Sequence, residues 1–280
     1  MNSRSLQGRI RLEWLSFLSA LGLMSRIPTS WFYRGSFEPE HLHRAQIWYP
    51  AIGVILGLVL AVFTIGFPGQ WSPLLQSSIL VAVWVIFTGA LHIDGLADTA
   101  DAWVGGMGDR KRTLAIMKDP TCGPSGVTAI ALCLLLKCAL VAQLIQNGDW
   151  ALLIIVPAIS RSWLLPMLAT MKYARAETEA DEVPAPTPGM ASDIAKGFPL
   201  QAGATTFLLT QALALLVLAF YPKGLLALLT INLASCALFF LTKHLVNKRI
   251  GGYTGDVLGA SIELQELAIL LALACVISAV

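Results

Sequence analysis

The feature that most constrains this chain is a succession of apolar blocks, each about 20 residues long, separated by short turns or charged loops. A helix needs about 20 apolar residues to cross a bilayer, so the pattern predicts a polytopic membrane protein. Composition agrees: 56% of the 280 residues are hydrophobic and 13% are charged, against about 25% charged in a soluble domain. The blocks fall at about 47–67, 73–93, 124–146, 150–171, 200–220, 224–242 and 260–280. An eighth apolar stretch, 12–24, is shorter and starts at Glu13; it reads as an interfacial or re-entrant helix. The expected fold is therefore all-α: one integral-membrane bundle of about seven spans plus an N-terminal helix, forming a single domain over 1–280. The segment from Glu177 to Pro188 is acidic and proline-rich, which makes a flexible loop of about 176–197.

Charge orients the bundle. Among the short turns on one side only Lys223 is basic, while Lys137 and Arg161 lie inside spans. The remaining Lys and Arg residues fall on the other face, which the positive-inside rule makes cytoplasmic. Loops 25–46, 94–123, 172–198 and 243–259 share that face. A net charge of +2 with no basic run gives no basis for nucleic-acid binding. The five cysteines are scattered without a C-x-x-C pair and read as small core residues. The expected location is a bacterial inner membrane, with lipid as the surrounding medium; a homo-oligomer is left open.

Within this frame the stretch HIDGLADTADAW, residues 92–103, stands out. Spacings of four and three put Asp94, Asp98 and Asp101 on one helix face, about 10 Å long at ~1.5 Å rise per residue. Carboxylates so placed repel one another, and a divalent cation relieves the conflict. Mg²⁺ takes one or two carboxylates, several waters and usually a substrate phosphate. The alternative is a polar helix end in water. Gly95 allows close approach of backbone or ligand, and His92 is a candidate supporting residue. A second loop, Gly251-Gly252-Tyr253-Thr254-Gly255-Asp256, lies on the same face. Asp256 is a fourth candidate metal ligand. Gly251, Gly252, Thr254 and Gly255 form either a phosphate-binding nest or a plain turn.

Lys137 and Arg161 are buried in apolar spans, where charges face a bundle interior or a watery cavity. They either hold an anionic substrate or pair with Glu or backbone carbonyls. Asp119 is a helix cap, a metal ligand or a general base. Glu263 and Glu266 open the last helix, where acids suit the dipole. Carboxylates, a glycine loop and interior cations together suggest phosphoryl chemistry, in which protein mainly positions and stabilises charge.

LHIDGLADTADAW resembles the signature of the cobalamin synthase family, the adenosylcobinamide-GDP ribazoletransferases. Four further stretches are similar, in the family's order: Ser25-Arg26-Ile27-Pro28, Met117-Lys118-Asp119 with Gly123 and Gly126, the Ser160-Arg161 pair, and GGYTGDVLGASIEL at 251–264. The chain departs from the pattern after Tyr173-Ala174-Arg175, where the acidic, proline-rich segment intervenes. The resemblance implies a Mg²⁺-dependent membrane transferase in nucleotide-loop assembly. Its substrates would be adenosylcobinamide-GDP and α-ribazole or its 5′-phosphate, and GMP would leave. Asp94, Asp98, Asp101 and Asp256 would serve the metal and diphosphate, Arg161 and Lys137 the charge on GMP, and Asp119 the hydroxyl proton. Two alternatives compete: a CDP-alcohol phosphotransferase, whose acid motif continues differently after the alanine, and an ion-coupled transporter, which favours broken mid-membrane helices and paired repeats.

Overall fold

The computed structural model describes residues 3–174 and 197–277. Among these residues the architecture is all-helical, with one isolated β-bridge between Tyr173 and Tyr253. The expected loop of 176–197 lies, apart from Gly197, outside the described residues.

α1 (Ser3–Met24) is longer than the apolar block 12–24, because the arginine-bearing segment before it continues the same helix. Leu15, Leu18 and Leu21 anchor it to the core. Glu13, which made the block look short, forms an ion pair with Arg44 and accepts from Trp48 Nε1 at 3.2 Å. α2 (Pro39–Ala45), a 3₁₀ turn and α3 (Tyr49–Gly66) follow. Ser72 caps α4 (Pro73–Thr88) by accepting from Leu75 N–H at 3.3 Å.

The chain then departs from expectation. The predicted span 73–93 breaks at Gly89 and Ala90, and the next helix, α5 (Leu91–Gly105), runs at 87° to α4. Gly89 (φ +62°) and Ala90 (φ +59°) are both left-handed. Their N–H groups return to Ile86 and Val85 carbonyls at 3.0 and 2.9 Å, closing α4 with a Schellman pattern. Ala90 is not glycine, so the elbow costs about 1–2 kcal/mol of backbone strain. The acids therefore sit on a separate helix and not at the end of a straight span.

α6 (Arg110–Ile116) is short and is capped by Asp109. α7 (Pro124–Gln146) is the one uninterrupted span of the central region. The predicted span 150–171 is segmented into a 3₁₀ turn, α8 (Val156–Ser162) and α9 (Leu164–Thr170). Pro157 and Pro166 sit in the first turns of α8 and α9, where a missing N–H is harmless. α10 (Leu200–Leu218), α11 (Gly224–Ile250) and α12 (Gly255–Ile277) complete the bundle. α12 begins before the expected residue 260, which moves Glu263 and Glu266 from its first turn into its interior. Six of these helical stretches are long and apolar enough to cross a membrane, and the bent α4–α5 pair makes a seventh by length and composition.

Gly53 and Gly57 form a small-x-x-x-small pair on α3. A Cβ on Gly53 would lie 2.3 Å from the Pro157 carbonyl oxygen, and one on Gly57 would lie 2.5 Å from that of Ile154. Backbone therefore meets backbone, as in close helix pairs within membranes. Gly57→Val should force α3 off the 154–158 segment and cost about 1–3 kcal/mol as an overpacked contact. A lowered melting temperature in detergent, with Val62→Leu on the exposed side of α3 as an unaffected control, would show it.

Candidate active site

α5 carries the site because its two faces differ. Ile93, Leu96, Ala97 and Ala102 are buried, whereas Asp94 is exposed and Asp98 and Asp101 are partly exposed. The predicted three-carboxylate face thus exists. Gly95 faces the start of α12: a Cβ there would lie 2.6 Å from the Asp256 carbonyl oxygen and 3.1 Å from its Cα. What approaches Gly95 is protein backbone, and this contact brings Asp256 beside the acid helix. Gly259 meets the backbone of His92 and Leu91 in the same way, one turn further along.

Asp101 has a task that spacing did not show. Its carboxylate accepts the N–H groups of Gly123 at 2.7 Å and Gly126 at 2.8 Å, at the N-terminus of α7. A negative group there satisfies orphan donors and suits the helix dipole. The cap of α7 is therefore supplied by another helix and not by Asp119. A Cβ on Gly126 would lie 2.4 Å from Asp101 Oδ2 and 2.9 Å from Cys122 Sγ, so the turn needs glycine to admit the carboxylate. Asp119 instead folds onto Thr121, accepting its hydroxyl at 2.6 Å and its N–H at 2.9 Å. Those bonds, the hydroxyl first, hold the exposed carboxyl below its ordinary range. Asp119 is consequently an anion at neutral pH and a weak base.

The glycine loop is largely occupied in building the fold. Gly251 (φ +81°) ends α11 in the left-handed conformation. At Gly252 a Cβ would lie 2.1 Å from the Lys172 carbonyl oxygen. The crossing is fixed by Tyr253 N–H to Lys172 O at 2.8 Å and Ala174 N–H to Tyr253 O at 2.9 Å. Thr254 is buried and caps α12 through Val257 N–H at 3.2 Å. Gly251 and Gly255 remain exposed, and Gly255 has open space around its α-carbon. Arg110 braces the loop by donating to the Ile250 and Ala174 carbonyls at 3.0 Å each.

Beneath α5 lies a set of charges that sequence reading only half anticipated. Lys137 and Arg161 are 0% and 1% exposed, and Glu263 and Glu266 are 2% and 0% exposed. Lys137 Nζ reaches Glu263 Oε2 at 2.5 Å and Glu266 Oε2 at 2.6 Å, and stands 4.7 Å above the Trp84 ring. Arg161 pairs with the other oxygen of Glu266, which also accepts from Trp84 Nε1 at 3.2 Å. Arg161 Nη2 lies 3.2 Å from His92 Nδ1. Arginine only donates, so Nδ1 accepts and Nε2 carries the hydrogen, buried with no partner among the described residues. Of the two roles open to Lys137 and Arg161, pairing with Glu is the one the geometry displays. The sequence places Glu263 and Glu266 only as acids suited to the helix dipole, yet a signal for their pairing is present: two interior cations need acids, and spacing of three puts both glutamates on one face.

The donor set can be compared with what Mg²⁺ requires. Among the described residues no three His, Cys, Asp or Glu side chains converge closely enough to cage a metal. Mg²⁺ needs no such cage, since waters and substrate phosphates fill most of its positions. One or two carboxylates, with Asp94 exposed and Asp98 half-buried one turn on, fit that mode and do not fit a closed structural site.

The fold defines a polytopic helical membrane protein with an acidic face on a broken span. Comparison with known proteins gives the class its particular member. The cobalamin-5-phosphate synthase family model matches residues 16–274. A protein named adenosylcobinamide-GDP ribazoletransferase from Pseudomonas fluorescens (strain Pf0-1) is 40% identical over 260 residues, 93% of this chain and 96% of its own. Relatives of the same name from Pseudomonas paraeruginosa and Ectopseudomonas mendocina are 42% and 41% identical over 259 residues each, covering 92% and 91% of this chain and 97% and 96% of theirs. No solved structure matches. The chain belongs to the cobalamin-5-phosphate synthase family, and it is a transmembrane transferase of cobalamin biosynthesis. The CDP-alcohol phosphotransferase and transporter alternatives are thereby set aside.

Removing one member of the buried set should be severe. Glu266→Leu leaves Arg161 without its carboxylate and Lys137 with one instead of two, which should cost about 3–5 kcal/mol. A Lys137→Met/Glu263→Met double variant, which removes one charge of each sign, should lose markedly less than Glu266→Leu. Thermal melts of the purified variants in one detergent would compare them.

Proposed function

We propose that the chain joins adenosylcobinamide-GDP to α-ribazole or α-ribazole 5′-phosphate, releasing GMP. The supporting observation is the acid face of α5, set against Asp256 by the glycine contact at Gly95. The names of the relatives support substrates of these classes, and the acid face supports the reading of a diphosphate bound with a cation. In this reading a ribazole hydroxyl oxygen attacks the phosphorus attached to cobinamide. A new P–O bond forms there, the bond from that phosphorus to the bridging oxygen breaks, and GMP departs with the electron pair.

Asp94 and Asp98 would hold Mg²⁺, with Asp256 brought beside their helix by the backbone contact at Gly95. When bound, the ion neutralises diphosphate charge and so supports the departing oxygen. Asp101 contributes by fixing α7 against α5, so that the carboxylates keep their spacing. Asp119 is assigned the hydroxyl proton, as a weak acceptor. His92, Arg161 and Lys137 hold α5 from below and do not contact substrate, because Glu266 and Glu263 already neutralise the two cations. Gly251 and Gly255 are the exposed loop positions available to a ligand. The site faces the cytoplasm of the bacterial inner membrane in this reading, on the face rich in Arg and Lys.

The decisive assay incubates the purified protein in detergent with GDP-cobinamide, α-ribazole and Mg²⁺, and follows GMP. Wild type should release GMP, and EDTA should abolish release. Asp94→Asn should lower the rate about 10²-fold or more, the scale of losing one electrostatic stabiliser. No GMP from wild type would reject the reaction; full activity in EDTA or in Asp94→Asn would reject the metal assignment.

A further inference from the structure

The buried pairing of Lys137 and Arg161 leaves the acid helix without the cations that a departing phosphate needs. Another basic side chain lies at its start. Residues 25–27 leave α1 in a turn fixed by Ser25, whose hydroxyl donates to Leu21 O at 2.7 Å and accepts from Ile27 N–H at 3.2 Å. Arg26 N–H then donates to Phe87 O at 2.9 Å, pinning this turn to the end of α4. From there the Arg26 side chain crosses the elbow directly over Gly89. A Cβ at Gly89 would lie 1.9 Å from Arg26 Cγ, 2.6 Å from Cδ and 2.5 Å from Nε. Gly89 thus has two reasons to lack a side chain, its positive φ and the arginine lying on it.

The elbow places this arginine at the start of the acid helix. Ala90 accepts the N–H of Asp94 at 2.8 Å, so the two are one helical turn apart, ~5.4 Å along the axis. Arg26 is exposed, and among the described residues no carboxylate pairs with it. Two guanidinium groups packed near α5 are committed to protein: Arg110 to two carbonyls, Arg249 to the Trp103 carbonyl at 2.7 Å and Thr113 Oγ1 at 3.1 Å. A guanidinium fork matches phosphate oxygens, and a phosphate leaving from beside three carboxylates needs positive charge.

We infer that Arg26, held across Gly89, is the residue that binds the departing nucleoside monophosphate of the diphosphate substrate at the α4–α5 elbow. This rests on the transfer reaction proposed above. The product GMP is the probe, bound to the full-length protein in detergent with Mg²⁺ and measured by equilibrium dialysis. Arg26→Ala should weaken GMP about ten- to a hundredfold, as loss of a charge-assisted hydrogen bond implies. Arg26→Lys should recover part of the loss. Gly89→Ala, which keeps the guanidinium but displaces its stem, should weaken GMP as well. In turnover the KM for GDP-cobinamide should rise in Arg26→Ala while that for α-ribazole stays unchanged, a split that a merely structural defect would not produce. If Arg26→Ala fails to fold, Arg26→Gln, which keeps most of the stem, replaces it. Wild-type GMP affinity in the folded variant, or a KM change confined to α-ribazole, overturns the assignment. Failure of wild type to release GMP would instead reject the reaction itself, so the two failures are distinguishable.

Discussion

Everything near the candidate site depends on four formal charges of zero sum buried among apolar helices. Lys137 on α7, Arg161 on α8, and Glu263 and Glu266 on α12 neutralise one another, and Trp84 on α4 and His92 on α5 close the set. Each ion alone would be prohibitively costly away from water, and a matched set is tolerated only when its geometry is good. The requirement is directional in a way that apolar packing is not. α7, α8 and α12 must hold one relative position for the carboxylate oxygens to meet both cations. Through His92, that position is passed to the helix carrying the aspartates.

Above this layer, glycine and carboxylate contacts convert position into a site. Gly95 and Gly259 let α5 and α12 touch through backbone, and Asp101 ties α5 to the start of α7. The acid face therefore has two kinds of members. Asp101 is engaged in building the frame, whereas Asp94 projects from it exposed. Such division explains how three like charges remain close without a cage of ligands, since backbone N–H donors already stabilise one of them.

The break between α4 and α5 gives the site its aspect. A straight span would have carried Asp94, Asp98 and Asp101 outward along its axis into solvent. The 87° turn lays them across the ends of α7 and α12 instead, at the cost of a left-handed alanine. Strain of this kind persists where surrounding structure over-determines it. Here the Schellman closure of α4, the backbone bond from Arg26 to Phe87 and the packing of α5 on α12 all fix the elbow.

Residue pattern alone determined the membrane class, most span positions, the acid face and the loop that brings Asp256 to the same side. These follow from local rules: apolar length against bilayer thickness, helical spacing, and the conformations open to glycine. Tertiary structure alone decided what each polar group does. Whether Lys137 and Arg161 meet a substrate or a glutamate depends on which residues of α12 lie opposite, more than 100 positions away in the chain. Whether Asp101 binds a ligand or caps a helix depends on where α7 begins in space, and whether Gly252 cradles phosphate or crosses Lys172 depends on the segment after α9. Long-range pairing of charge and backbone leaves no period in a sequence, so only the folded chain could assign those roles.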